Sequence, residues 1–509
     1  MNLSMLNTWR VYRTTYPKSL LILLMIYLVA FFTYHLLTLA ISPLPWFDET
    51  FFASMTVSYN TTRELNLIAA PFAYNGELLI YGPVYFWITS FFTKIFGFNI
   101  IAFRLSGVIF GLLSIITFCK VLNLSYPRKA AYLIILALTL DPLFNANMHS
   151  GRMDVVALFF ALLSILVYQM AEAKSKRTSL WPFVLSGVIF ATALLTTPRI
   201  GILLIAFGLC QLAKIRSVSN ENLLRLAAFS VALVLIYFIW IFLSFGSVPS
   251  FIQYYTSFSE YLGGGYYSYP IQQLPLLLIT CLSVIAGVFM SGKRFFSPLV
   301  LLSIVSIMLF YSIVYDTGQY SVIIIPFQYA IVGSATVVLY DRLFKNSRRS
   351  LSILKFNFLA AILMVNTSFF LLKVLTIYIT SETRNPFYVS SFIKKYIPPK
   401  SKVLGDESHF YAVTTASSEF QYIHLFKEDL EREDYQRRIF NYDYIVWSDR
   451  LERDYPDLLD IYKNHSSIIK VASFRNNRNK NLRLAERALR SLNIPVDVSY
   501  NCIIYKRLK

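Results

Sequence analysis

LLILLMIYLVAFFTYHLLTLAISPLPWFDETFF (residues 20–52) decides how this chain is to be read. Its first two thirds, Leu20–Ile41, form an unbroken apolar run, and about 20 such residues suffice to cross a bilayer as a helix. Immediately after it two adjacent acids, Asp48 and Glu49, stand among aromatics in WFDETFF (46–52). A charge at a membrane border is costly unless it reaches water or a partner. A solvated loop cap would account for one such pair, and choosing between cap and working site depends on what else lies at the same face.

The rest of the chain repeats the apolar theme. Of 509 residues, 56% are hydrophobic and only 15% charged, and the mean hydropathy is +0.54. These values belong to a polytopic membrane protein rather than a soluble one. The net charge of +19 would suggest nucleic acid in a soluble chain. Here the basic residues occupy short connectors between apolar runs, which is an orientation signal, so nucleic acid is excluded as a partner. Cys119, Cys210 and Cys281 lie inside apolar segments and Cys502 in the polar tail, which leaves no disulfide framework or metal-type cluster.

Eleven apolar runs are legible, at approximately 20–41, 99–123, 130–146, 153–171, 180–196, 200–213, 223–245, 271–290, 297–315, 320–340 and 356–379. With about eleven crossings the clusters Arg10/Arg13/Lys18, Arg128/Lys129, Lys174/Lys176/Arg177, Lys214/Arg216/Arg225, Lys293/Arg294 and Arg342/Lys345/Arg348/Arg349 all fall on one side. By the positive-inside rule that side is cytoplasmic, as is the N-terminus. The opposite face receives Asp48, Glu49, Arg152, Asp154, Arg199, Asp316 and everything after about 380. The aromatic segment 79–96 lies in the first outer loop (42–98). Counting it as a crossing would put Arg128 and Lys129 outside, so it is expected to lie along the interface.

Residues 1–379 thus form a transmembrane unit and 380–509 a soluble extracytoplasmic one. In the tail, β-like runs at Lys402–Gly405, Tyr444–Trp447, Ser467–Phe474 and Cys502–Tyr505 alternate with helical polar stretches at 425–440, 450–462 and 480–492. That alternation predicts a small α/β domain.

The outer face concentrates groups able to do chemistry. Asp48 has the placement of a general base, where a hydroxyl from water can meet a lipid-borne donor. Asp154, in HSGRMDVVALFF, lies on the same face, where an anion would equally suit a helix N-terminus. Arg104, Arg152 and Arg199 are cations able to stabilise a departing phosphate, although each could simply snorkel to the interface. In SFSEYLGGGYYSYP (257–270) the glycines permit a mobile lid and Tyr266 and Tyr267 can stack on a sugar; an aromatic belt explains them as well. No histidine has ligand spacing. A divalent metal is possible beside an Asp/Glu pair, but no complete ligand set is visible, so no cofactor is called for.

In order along the chain, these pieces resemble the GT-C membrane glycosyltransferases, in the branch of protein O-mannosyltransferases and lipid A aminoarabinose transferases. The resemblance rests on Asp48-Glu49, YGPVYFWITSFFTKIFG, FRLSGVIFGLL, HSGRMDVVALFF and LLTTPRIGILL, over roughly residues 10–215. It implies transfer of a monosaccharide from a polyprenyl-phosphate donor to a glycan, glycolipid such as lipopolysaccharide, or protein acceptor, with inversion. The setting would be the outer face of a bacterial inner membrane. The family's catalytic Asp maps onto Asp48 and its second acid onto Asp154, with Glu49 in support. Two departures stand out. Thr50-Phe51-Phe52 replaces a Thr-Arg-Tyr sequence, and Tyr81-Gly82 stands where the family has His- or Lys-Pro, which makes Tyr81 the candidate substrate contact there. A transporter or flippase for lipid-linked sugars, or a non-catalytic envelope-assembly protein, are the rival readings. Against a transporter, the acids gather at one face and no internal repeat is visible.

Overall fold

A computed structural model describes residues 18–69, 77–174, 179–215, 220–261, 273–314, 320–344, 357–416, 418–422, 441–454, 467–475 and 499–508. It is a mainly helical multi-pass membrane protein with a small C-terminal sheet. The first helix, α1 (Lys18–Thr38), is followed by α2 (Phe47–Thr62), α3 (Val84–Phe96) and α4 (Ile100–Ser125). Next come α5 (Arg128–Thr139), α6 (Pro142–His149), α7 (Met153–Lys174), α8 (Trp181–Leu194) and α9 (Gly201–Ile215). The bundle ends with α10 (Asn220–Phe245), α11 (Val248–Tyr261), α12 (Leu274–Ser291), α13 (Pro298–Ile313), α14 (Ile325–Phe344) and α15 (Asn357–Thr380).

Six of these helices are long and apolar enough to cross a membrane: α1, α4, α7, α10, α12 and α15. In place of the single straight helix expected over 130–146 stand two, α5 and α6, meeting at a 62° bend. The cause is local. Asp141 caps α6 by accepting from the Leu143 and Phe144 amides at 3.0 and 2.8 Å, and Pro142 at the first helical position cannot continue α5. Two asparagines satisfy carbonyls freed at the break: Asn366 donates to Ala137 O and Asn145 to Thr139 O. Helices α8, α9 and α13 correspond to further apolar runs but are shorter, and in α14 only Ile325–Val338 is apolar.

The bundle has an inside and a lipid side. Over their most apolar stretches α7 is 72% buried and α4 56%, whereas α1, α12 and α15 are each 22% buried. Helices that are apolar all round yet mostly uncovered face hydrocarbon, and Leu243 and Phe289 project fully from that surface. Helix α3, at 13 residues, spans only about 20 Å at 1.5 Å per residue. It exposes Trp87, Phe91, Ile95 and Phe96 along one side, as expected of an interfacial helix.

Beyond α15, helix α16 (Pro386–Tyr396) leads to the sheet, which comprises β1 (Lys402–Gly405), β2 (Glu419–Tyr422), β3 (Tyr444–Ser448), β4 (Ile468–Phe474) and β5 (Cys502–Arg507). The order is β2-β1-β3-β5-β4. Strand β1 runs parallel to β2 and β3, and β5 antiparallel to β3 and β4. Helix α17 (Phe410–Thr415) connects β1 to β2. Strand β2 is the one the sequence pattern does not announce. Of the expected polar helices, only Asp449–Asp454 lies within the described residues; 425–440 and 480–492 lie outside them. Val403, Tyr422, Val446 and Ile504 of the sheet share one buried core with Phe52, Met55, Tyr85 and Phe86 of α2 and α3.

Candidate active site

Adjacent residues on a helix point about 100° apart, and in α2 this separates the two acids of WFDETFF. Glu49 turns inward with no exposed surface. It accepts two bonds from Arg104 of α4, Nε to Oε1 and Nη2 to Oε2, both at 2.7 Å. Arg104 spends a further donor on Leu39 O at 2.8 Å, tying the end of α1 to the same point. Burial pushes the Glu49 carboxyl above its ordinary range, and Arg104 limits the rise. Asp48 faces the other way and keeps 26% of its side chain exposed.

Asp48 is held by Arg152, whose Nη1 lies 2.5 Å from Oδ2, while Arg152 Nε donates to Asp154 Oδ2 at 2.9 Å. One guanidinium therefore bridges the two candidate acids, Asp48 from the first turn of α2 and Asp154 from the first turn of α7. Gly151 makes the bridge possible. Its φ of +58° is left-handed, and a Cβ there would lie 2.7 Å from the Phe103 ring and 3.2 Å from Glu49 Cγ. Tyr85 donates to the Gly151 carbonyl, so α3 fixes the same turn.

Arg199 approaches from a third segment, the turn at Thr197–Gly201 before α9. It stacks on Tyr320 at 3.9 Å from the ring centroid, and Arg152 stacks on the same ring at 4.6 Å. Tyr81 lies 5.7 Å from Arg199 and packs against Phe52. Gly82 explains the proximity, because a Cβ on it would sit 2.2 Å from Leu195 O. Only glycine lets the Tyr81 loop press that closely on the backbone leading into the Arg199 turn.

Three buried polar atoms around this cluster have no hydrogen-bond partner among the described residues: Arg199 Nη1, Asp154 Oδ1 and Thr197 Oγ1. Buried polar groups are normally satisfied, so their convergence from two segments marks a place for a ligand. The acids themselves are already arginine-paired. Among the described residues no three His, Cys, Asp or Glu side chains are grouped as metal ligands.

The structure thus brings together Asp48, Glu49, Asp154, Tyr81, Arg104, Arg152 and Arg199, all of which the sequence singled out. Arg63 and Lys94, also in the first loop, are exposed. Tyr266 and Tyr267 lie outside the described residues. Sequence reasoning missed Trp46, which stacks on Arg152 at 5.2 Å, and Tyr320. Tyr320 does follow a connector that the charge pattern assigns to the same side as Asp48, and that was its available signal. It also missed Tyr411 and Tyr422, which reach the site from α17 and β2, where nothing local advertises them.

The chain matches the family described as dolichyl-phosphate-mannose-protein mannosyltransferase over residues 81–242, less than half its length. That stretch includes Tyr81, Arg104, Arg152, Asp154 and Arg199. No curated protein sequence matches the chain. In structure it is similar to ArnT from Cupriavidus metallidurans bound to undecaprenyl phosphate, with a TM-score of 0.62 at 14% identity. The alignment covers 96% of this chain and 98% of that one. The apo state of the same protein aligns with a TM-score of 0.56 over the same shares. The apo oligosaccharyltransferase of Archaeoglobus fulgidus aligns at 0.51 and 11% identity, covering 84% of this chain and 70% of that one.

Proposed function

We propose that this chain is a GT-C glycosyltransferase that transfers a monosaccharide from a polyprenyl-phosphate donor to an acceptor hydroxyl, a reading supported by the partial family match and the shared fold. The observation that carries the reading is the set of unpartnered buried atoms on Arg199, Asp154 and Thr197, beside a partly exposed, ion-paired Asp48. A phosphate-linked sugar would satisfy all three: an anion for the guanidinium and hydroxyls for the carboxylate and threonine. The polyprenyl carrier draws support from the structural neighbour bound to undecaprenyl phosphate.

In this mechanism Asp48 takes the acceptor proton as its oxygen attacks the anomeric carbon from the face opposite the phosphate. The carbon–oxygen bond to phosphate breaks with inversion, and polyprenyl phosphate leaves with the electron pair beside Arg199. Asp154 orients a sugar hydroxyl. Arg152 keeps the two acids at their spacing, and Glu49 with Arg104 supports α2 from behind rather than touching substrate. The acceptor is a glycan, glycolipid or protein at the extracytoplasmic face of a bacterial inner membrane, with membrane lipid around the bundle and the N-terminus in the cytoplasm.

The test is purified protein incubated with undecaprenyl-phosphate-linked hexoses and pentoses together with lipopolysaccharide, following release of undecaprenyl phosphate. Asp48→Asn is expected to reduce sugar-dependent release by roughly 10²–10⁴, the usual contribution of a general base, with normal expression in membranes. Full activity in Asp48→Asn removes the assigned base. No release by wild type with any donor favours a transporter or assembly role.

A further inference from the structure

The outer sheet does more than cover the site. Tyr411, in α17 of the soluble part, donates its hydroxyl to Glu49 Oε1 at 3.1 Å. Tyr422, at the end of β2, donates to Thr50 Oγ1 at 2.5 Å. Two residues of the C-terminal part, which neither family resemblance nor local sequence marks, thus hold two consecutive residues of the turn that carries Asp48. Both tyrosines are buried. Tyr411 stacks on Phe98 at 5.6 Å and Tyr422 packs on Phe47 at 5.6 Å. The Tyr422 amide also donates to Ala69 O at 2.9 Å, joining the sheet to the first outer loop through backbone.

Behind Tyr411 stands a second buried network. The Asp406 carboxylate accepts from the Ser408 amide at 3.1 Å and from the Ser408 and Ser448 hydroxyls. His409 Nδ1 lies 3.1 Å from Asp406 Oδ1, and its Nε2 lies 3.2 Å from Tyr500 O. Both ring nitrogens face acceptors, an arrangement that suits the doubly protonated imidazolium. His409 immediately precedes α17, so this pair locks the helix from which Tyr411 projects.

We infer that the C-terminal domain completes the active site, with Tyr411 as a positioning residue that acts through Glu49 on the first turn of α2 and so on Asp48. Tyr422 acts in the same sense through Thr50. Neither touches the reacting atoms. The proposal rests on the glycosyl-transfer reading and adds to it a requirement that the two parts of the chain be docked for turnover. A hydrogen bond to a charged acceptor fixes orientation as well as energy, and small displacements of a base carry large rate costs.

Tyr411→Phe removes one oxygen and keeps the ring. In the undecaprenyl-phosphate release assay its kcat is expected to fall about tenfold with donor KM within about twofold of wild type, because positioning for the chemical step is lost and donor binding is not. A purely structural role would instead lower the active fraction and leave the pH profile unmoved; here the acid limb moves to higher pH, since Glu49 loses a donor to its charged form. Thermal unfolding supplies a readout free of activity. In wild type Tyr411→Phe lowers Tm, whereas in a Glu49→Leu/Arg104→Met background, where the hydroxyl has lost its acceptor, it leaves Tm unchanged or raises it. If Tyr411→Phe does not accumulate, Tyr422→Phe carries the same test one residue along the turn.

An active wild type with unaltered kcat and pH profile in Tyr411→Phe overturns the proposal alone, as does an equal Tm loss in both backgrounds. A wild type inactive with every donor defeats the glycosyl-transfer reading and the proposal with it.

Discussion

Removing Arg104 isolates one term of the site's energetics. In Arg104→Met the Glu49 carboxylate remains in a position with no exposed surface and loses two bonds of 2.7 Å. An uncompensated buried charge is worse than a neutral acid, so Glu49 takes up a proton on folding. From an unfolded value of 4.5, protonation at pH 7 costs about 1.36 × 2.5, or roughly 3.4 kcal/mol, and at pH 5 about 0.7 kcal/mol. Loss of the donor to Leu39 O adds about 1–3 kcal/mol at either pH.

The sign follows from linkage. In the variant the folded-state affinity of Glu49 for its proton exceeds the unfolded one, so stability is fully present below pH 4.5 and drains away as pH rises. Wild type shares the direction, because burial already raises this carboxyl, but Arg104 restrains it. The deficit of Arg104→Met relative to wild type therefore grows by up to about 2.7 kcal/mol between pH 5 and pH 7, or at most roughly 3 °C in Tm at about 1 °C per kcal/mol for a chain of this length. The assay is unfolding in detergent at pH 5, 6 and 7, followed by tryptophan fluorescence. Glu49→Leu/Arg104→Met should lose the added slope, having no carboxyl to titrate. A deficit that stays flat across the range, or a slope that survives in the double variant, would refute the buried pair.

Arg199→Ala should weaken binding of undecaprenyl phosphate by about ten- to a hundredfold, the scale of one or two charge-assisted hydrogen bonds, measured by displacement of a labelled polyprenyl phosphate; unchanged affinity removes Arg199 from the phosphate site. Gly82→Ala forces a Cβ to 2.2 Å from Leu195 O and is expected to cost about 1–3 kcal/mol of stability and to raise donor KM as Tyr81 shifts. Neutral stability and KM would contradict that close approach. His409→Asn strands the buried Asp406. Burial opposes both charges, yet His409 holds Asp406 well below its ordinary range, and Cys502 together with Asp406 holds His409 well above its own. Asp406 contributes stability above its unfolded 3.8, lost as pH falls, and His409 below its unfolded 6.5, lost as pH rises. The Tm gap between wild type and variant should accordingly be widest between those two values, and a monotonic gap would speak against the pair.

Membrane character, the spacing of the basic connectors and the candidacy of Asp48, Asp154, Arg104, Arg152 and Arg199 were legible in the sequence alone. The physical reason is that hydropathy and charge act on each segment independently, so a segment's depth and side are settled by its own composition. Strands β1, β3, β4 and β5 were legible for the same reason, as local runs of apolar and β-branched residues. Tertiary structure decided which acid does what. Asp48 and Glu49 are chemically alike neighbours, and only the packing of α4 against α2 gives one an internal arginine while leaving the other open to solvent. The bridge of Arg152 between Asp48 and Asp154, the shared Tyr320 ring and the 62° break at Asp141 depend equally on partners distant in the chain. Tyr411 is the extreme case, lying 362 residues from the carboxylate it contacts. Pairings of that separation leave no periodic trace in a sequence; they arise only when the outer sheet and the first loop close on one common core.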